Sequence, residues 1–78
     1  MNLSEAVRLR ILQLCEQNHI TINGLAMLSG ISQSTVNSII DGTSKNPTLL
    51  TILRICLGLQ IELKDFFDDE VFFDLDDE

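Results

Sequence analysis

The sequence predicts an all-α fold, a bundle of five helices. Apolar residues recur at helical spacing in several segments, Ser, Thr or Asn stands ahead of most of them, and Gly follows two. No alternating, strand-like run competes. Asn2, with Glu5 three residues later, forms a capping-box pattern, and Ser4 is a second cap candidate. Leu3, Val7, Ile11, Leu14 and Cys15 then mark one face of a first helix running to about Asn18, with His19 exposed just past its end. Thr21 caps a second helix to about Ser29, stopped by Gly30. Ser32 caps a third through about Asp41, stopped by Gly42, with Val36, Ile39 and Ile40 turned inward. Residues 43–47, which end in Asn46-Pro47, read as a turn. Thr48 caps a fourth helix to about Leu59 whose inner face is Leu49, Ile52, Ile55, Cys56 and Leu59. A fifth, short helix occupies roughly Leu63 to Phe67, with Phe66 and Phe67 in the core. Residues 1–68 make the domain and residues 69–78 an acidic, aromatic tail.

Seventy-eight residues, 45 % of them hydrophobic and 22 % charged, are one small globular domain. Two cysteines do not make a disulfide scaffold, and one histidine does not complete a Cys/His zinc site. Multi-residue catalytic constellations are largely excluded by the same counts. The expectation is a binding module, not an enzyme, with no cofactor, metal or small-molecule ligand. No secretory leader is visible in MNLSEAVRL, and the most apolar stretch, 48–61, contains Arg54 and falls short of the roughly 20 residues that span a bilayer. A cytoplasmic, nucleoid-associated protein with Cys15 and Cys56 as core thiols is expected, without membrane partners.

The net charge of −7 at first argues against nucleic acid, because phosphate binding is driven by Lys and Arg. The placement of the charge along the chain weakens that objection. Residues 1–64 carry five basic and four acidic side chains, whereas residues 65–78 carry eight acidic ones and no base. The negative charge is terminal, on a nearly neutral body. Such a tail is expected to weaken non-specific DNA binding more than specific binding.

The two short helices joined by Ser29-Gly30-Ile31-Ser32 have the layout of a helix-turn-helix. The ordered set Leu25-Ala26, Ser29-Gly30-Ile31-Ser32, Ser34-Thr35-Val36, Asp41-Gly42, Asn46-Pro47-Thr48-Leu49, Ile52, Ile55-Cys56, Leu59 and Asp65-Phe66-Phe67 resembles the lambda-repressor/Cro-type (XRE) family of DNA-binding domains over about two-thirds of the chain. The third helix supports the resemblance physically. With Val36, Ile39 and Ile40 inside, Gln33, Ser34, Asn37 and Ser38 share a polar, uncharged outer face. These four are the expected base-contacting residues, since Gln and Asn can pair with the N6 and N7 edge of adenine in the major groove. The resemblance implies phosphate contacts from the start of helix 2 and the loop after helix 3, which here offer Thr21, Asn23, Thr43, Ser44, Lys45 and Asn46.

Three departures from the family pattern matter. Ile22 stands where a polar residue, often Gln, usually follows the cap of helix 2, so one phosphate contact is in doubt. Cys15 and Ile40 replace a frequent Arg–Glu pair, an exchange of a buried ion pair for apolar packing that is commonly neutral or better. Asp41 lies where a phosphate would pass, which is unfavourable unless its charge is held in a cap or pair.

Helix 4 also carries a second apolar stripe, Leu50, Leu53 and Leu57, read either as covered by helices 1 and 5 or as a dimer interface. Val71, Phe72, Phe73 and Leu75 interrupt the acidic run and would dock on the body, near Leu9 and Leu12, or on a partner, or else fray. The favoured reading is a sequence-specific, double-stranded-DNA-binding transcriptional regulator, a phage- or prophage-type repressor acting as a homodimer on a two-fold operator. The rival is a protein-interaction module, antitoxin-like or an adaptor, that keeps the helix-turn-helix fold with weak DNA binding.

Overall fold

In a computed structural model that describes residues 1–77, the chain forms α1 (Leu3–Gln17), α2 (Ile22–Ser29), α3 (Gln33–Ile40), α4 (Leu49–Leu59) and α5 (Leu63–Phe67), followed by a single 3-10 turn, Glu70–Phe72. Side-chain caps open the first four helices. Asn2, Thr21, Ser32 and Thr48 accept hydrogen bonds from the backbone N–H groups of Glu5, Gly24, Thr35 and Thr51. The Ser4 hydroxyl donates to the Asn2 carboxamide and so supports that cap. At α5, the Asp65 carboxylate accepts from the Glu62 N–H at 2.9 Å.

Three helices leave by one device. His19, Gly30 and Gln60 adopt left-handed backbone (φ 54°, 67° and 60°), and each precedes an isoleucine. The N–H groups of Ile20, Ile31 and Ile61 reach back to the carbonyls of Cys15, Ala26 and Cys56, while their side chains pack against the core. Glycine alone adopts this conformation without cost. Gln60→Gly is therefore expected to raise stability by about 0.5–1 kcal/mol, read as a higher urea midpoint with unchanged slope.

Val7, Ile11, Leu14, Cys15, Leu25, Ala26, Val36, Ile39, Ile52, Ile55, Cys56 and Phe66 form one buried cluster. Burial raises both thiols, with the Asp65 charge adding to the effect at Cys56. The most extensive helix pairing is between α2 and α4, and it depends on Gly58: a Cβ there would lie 2.8 Å from the Leu28 carbonyl oxygen and from Ser29 Oγ.

Leu3 and Leu49, expected on inner faces, are 51 % and 74 % exposed. They open α1 and α4, and a helical side chain covers the turn N-terminal to its own Cα, where these two have no helix to lie against. Phe67, expected in the core, is 38 % exposed. Only Phe66 points fully inward, and Phe67 packs on its edge with ring centroids 4.9 Å apart. The stripe on α4 is uncovered: Leu50, Leu53 and Leu57 are 53 %, 37 % and 65 % exposed.

Residues 69–76 do not fray. The Asp69 side chain caps the 3-10 turn by accepting from the Val71 N–H, the turn lies against α1, and Phe72 packs on the core and on Phe67 (ring centroids 5.1 Å). Arg10 ties this end down. It is a buried residue of α1 whose Nε and Nη2 each donate at 2.6 Å, to the carbonyls of Phe66 and Asp65 at the end of α5. Its Nη1 bonds Gln13 and approaches the Asp69 carboxylate at 3.5 Å. Further out, the Met1 ammonium and carbonyl meet the Asp76 carboxylate and N–H.

Candidate nucleic-acid interface

The turn Gly30–Ile31 sets α3 across α2, and Val36 and Ile39 pin its inner side to the core. This fixes what faces outward. Gln33, Ser34 and Asn37 are exposed and Ser38 is half-buried, so the four expected base-reading residues occupy one face. Hydroxyls of the first turn bond to one another: Ser32 Oγ lies 3.2 Å from Ser34 Oγ and 2.8 Å from Thr35 Oγ1, and it accepts from the Thr35 N–H. Ser38 donates to the Ser34 carbonyl, which leaves its oxygen as an acceptor only. The carboxamides of Gln33 and Asn37 have no side-chain or backbone partner among the described residues, so both their donors and their acceptors face solvent.

The two expected phosphate-contacting segments are the start of α2 and the loop after α3, the latter tied to α3 by the Ser44 N–H and the Ser38 carbonyl. Thr21 and Asn23 are exposed at the start of α2, where the Thr21 oxygen accepts from Gly24 and its hydroxyl proton stays available. Thr43, Lys45 and Asn46 are exposed in the loop after α3 and Ser44 is half-buried, its N–H donated to the Ser38 carbonyl. Asp41 closes the third helix. Its carboxylate accepts from Thr43, chiefly these Thr43 hydrogen bonds hold its pKa below the ordinary carboxylate range, and its charge is thereby engaged inside the turn.

A family model described as the Cro/C1-type HTH DNA-binding domain matches residues 10–71. The chain belongs to the Cro/C1-type helix-turn-helix DNA-binding family. The matched span begins at Arg10 and ends inside the 3-10 turn, so it takes in both partners of the Arg10–Asp69 pair. The crystal structure of the prophage Lp1 protein 11 is similar to this Cro/C1-type chain, with 43 % sequence identity and a TM-score of 0.79 over 88 % of this chain and 92 % of that one. No curated protein matches it. The five-helix architecture with α2 and α3 as the helix-turn-helix is thus the family's own, and the protein is a DNA-binding regulator. None of the described helices of this Cro/C1-type chain is long and apolar enough to cross a membrane.

Sequence reasoning assigned Arg10 no structural role, although a signal was present. Arg10 shares the α1 face of Val7 and Leu14, where a charge must find partners or stay in water.

Proposed function

We propose that this Cro/C1-type domain is a phage- or prophage-type repressor that binds a two-fold-related operator as a homodimer and acts by occluding the promoter. The observation that carries the reading is the outer face of α3, where two unpartnered carboxamides stand among small hydroxyls with no charge. That chemistry suits base edges better than phosphates. Gln33 and Asn37 read bases with Ser34 and Ser38 beside them, while Thr21, Asn23, Thr43, Ser44, Lys45 and Asn46 position the backbone. Similarity to a prophage protein supports the phage-type assignment. Selecting bound duplexes from a random pool tests the whole reading: a palindromic consensus is expected, and a pool that never enriches overturns it in favour of a protein-binding role.

The dimer rests on the exposed stripe of Leu50, Leu53 and Leu57, because an isologous contact matches operator half-sites about 34–36 Å apart. Leu53→Asp is expected to sediment as a folded monomer and to bind the full operator no better than one half-site. Unchanged dimerisation of that variant removes the stripe from the interface.

The 3-10 turn of the tail lies against α1, and solvent screens charge over about 8 Å at physiological salt. Truncation after Phe73 keeps the 3-10 turn and removes Asp74, Asp76, Asp77 and Glu78. It is expected to tighten binding to random DNA at low salt, with the difference vanishing as salt rises. Truncation after Asp69 removes Val71 and Phe72 as well, and a lowered melting temperature is expected there.

A further inference from the structure

Beside the loop that carries Lys45, the start of α1, the start of α4 and the end of α5 enclose an open cleft of about 100 Å3. Its walls include Leu3, Val7, Leu49, Ile52 and Phe67, with Lys45 at the rim. Two of these walls, Leu3 and Leu49, are more than half exposed, so apolar surface is left uncovered at the mouth. The ion pairs among the described residues are Met1–Asp76, Arg10–Asp69 and Lys64–Glu62, and Lys45 takes part in none of them. The site therefore asks for an apolar side chain with negative charge next to it.

One segment of this chain has that composition and leaves it unused. After Phe72 has packed on Phe67, the next residue, Phe73, is 71 % exposed and does not line the cleft. Asp74, Asp76 and Asp77 follow it with no base among them. In its own chain this arm is fastened at Met1 by an ion pair between the Met1 ammonium and an exposed Asp76 and by one backbone hydrogen bond, and surface pairs of this kind contribute little. Five extended residues reach at most about 17 Å, enough to cross to an adjacent molecule.

We propose that residues 73–77 of one copy seat the Phe73 ring in the cleft of a second copy, with the aspartates that follow it paired to Lys45. Reciprocal exchange closes a two-fold pair without exposing a further socket. The contact uses neither α3 nor the Leu50–Leu57 side of α4, so it stands apart from the operator-bound dimer proposed above. It does engage Lys45, the one charged member of the phosphate-contacting set, and so opposes DNA binding.

Mixing two forms of the full-length protein tests the arm. One is isotope-labelled wild type. The other is an unlabelled Glu78→Cys variant carrying a nitroxide one residue beyond the arm, with Cys15 and Cys56 buried and protected from the label. At near-millimolar protein, amides of Leu3, Val7, Leu49 and Ile52 in the labelled copy are expected to lose at least half their intensity. Phe73→Ser in the nitroxide copy is expected to restore them, and Lys45→Gln in the labelled copy to reduce the loss. No loss at any concentration, loss on α4 that spares Leu3 and Val7, or loss that survives Phe73→Ser would each overturn the proposal.

Discussion

Arg10→Ala is expected to lower the unfolding free energy by about 2–5 kcal/mol. It orphans the Phe66 carbonyl, at about 1–3 kcal/mol for a buried unsatisfied group, takes one of two donors from the Asp65 carbonyl, and removes a packed aliphatic stem. A 78-residue domain has a total stability on the order of 4–12 kcal/mol, so the loss is a large share of the whole. The check is a urea titration followed by far-ultraviolet circular dichroism, in which the midpoint falls with the slope unchanged. The pH dependence has a definite sign. The Asp69 carboxyl is held below its ordinary value, first by the Val71 N–H and then by Gln13 and the Arg10 charge, against an opposing desolvation effect. A depressed carboxyl stabilises the fold above the unfolded value near 3.9, and that contribution is lost as the pH falls through the lower folded value. The end of α5 and the 3-10 turn are thus expected to loosen in acid before the helix-turn-helix does, visible as early loss of amide protection at Phe72 and Phe73.

Gln33→Ala is expected to weaken binding to the selected operator by about 1–3 kcal/mol, and to relax preference at a single base pair while leaving non-specific binding unchanged. Gln33 stands at the first position of α3, exposed, with its carboxamide unpartnered. It can present a donor and an acceptor together, which adenine matches and no other base does in the same register. Selection repeated with the variant reads both quantities. Equal affinity and an identical consensus would remove Gln33 from the base-reading set, whereas uniform weakening at all sequences would mark it as a phosphate contact.

The helix boundaries were legible because local chemistry sets them. Thr21, Ser32 and Thr48 cap the helices they precede, Gly30 and Gly42 take left-handed backbone just past α2 and α3, and the fifth helix falls on Leu63–Phe67 as the sequence predicts. The left-handed backbone at His19 and Gln60 was not legible, since it is set by the partly buried isoleucine that packs on the core behind each one. The outer face of α3 could be read because amphipathic periodicity fixes which side meets the core. The ends of helices escaped that rule. Leu3, Leu49 and Phe67 lie on apolar faces by period alone, yet whether anything covers them is a tertiary matter. The ordered tail was equally hidden, because it depends on Arg10 meeting residues far along the chain.

Arg10 donates to carbonyls 55 and 56 residues downstream and approaches a carboxylate 59 residues away. A chain emerging from the ribosome therefore presents its DNA-reading helices well before it can fasten its first helix to its last. Until Phe66 and Asp69 have emerged, the guanidinium has only water and Gln13 to bond, and the apolar side of α1 has no aromatic lid. Long-range closures of this kind are slow relative to local helix formation, so the arrival of α5 and the 3-10 turn sets when the helix-turn-helix joins a folded unit. A chain that stops before Asp65 contains the whole helix-turn-helix and lacks its fastening, a natural target for proteolysis instead of a truncated repressor.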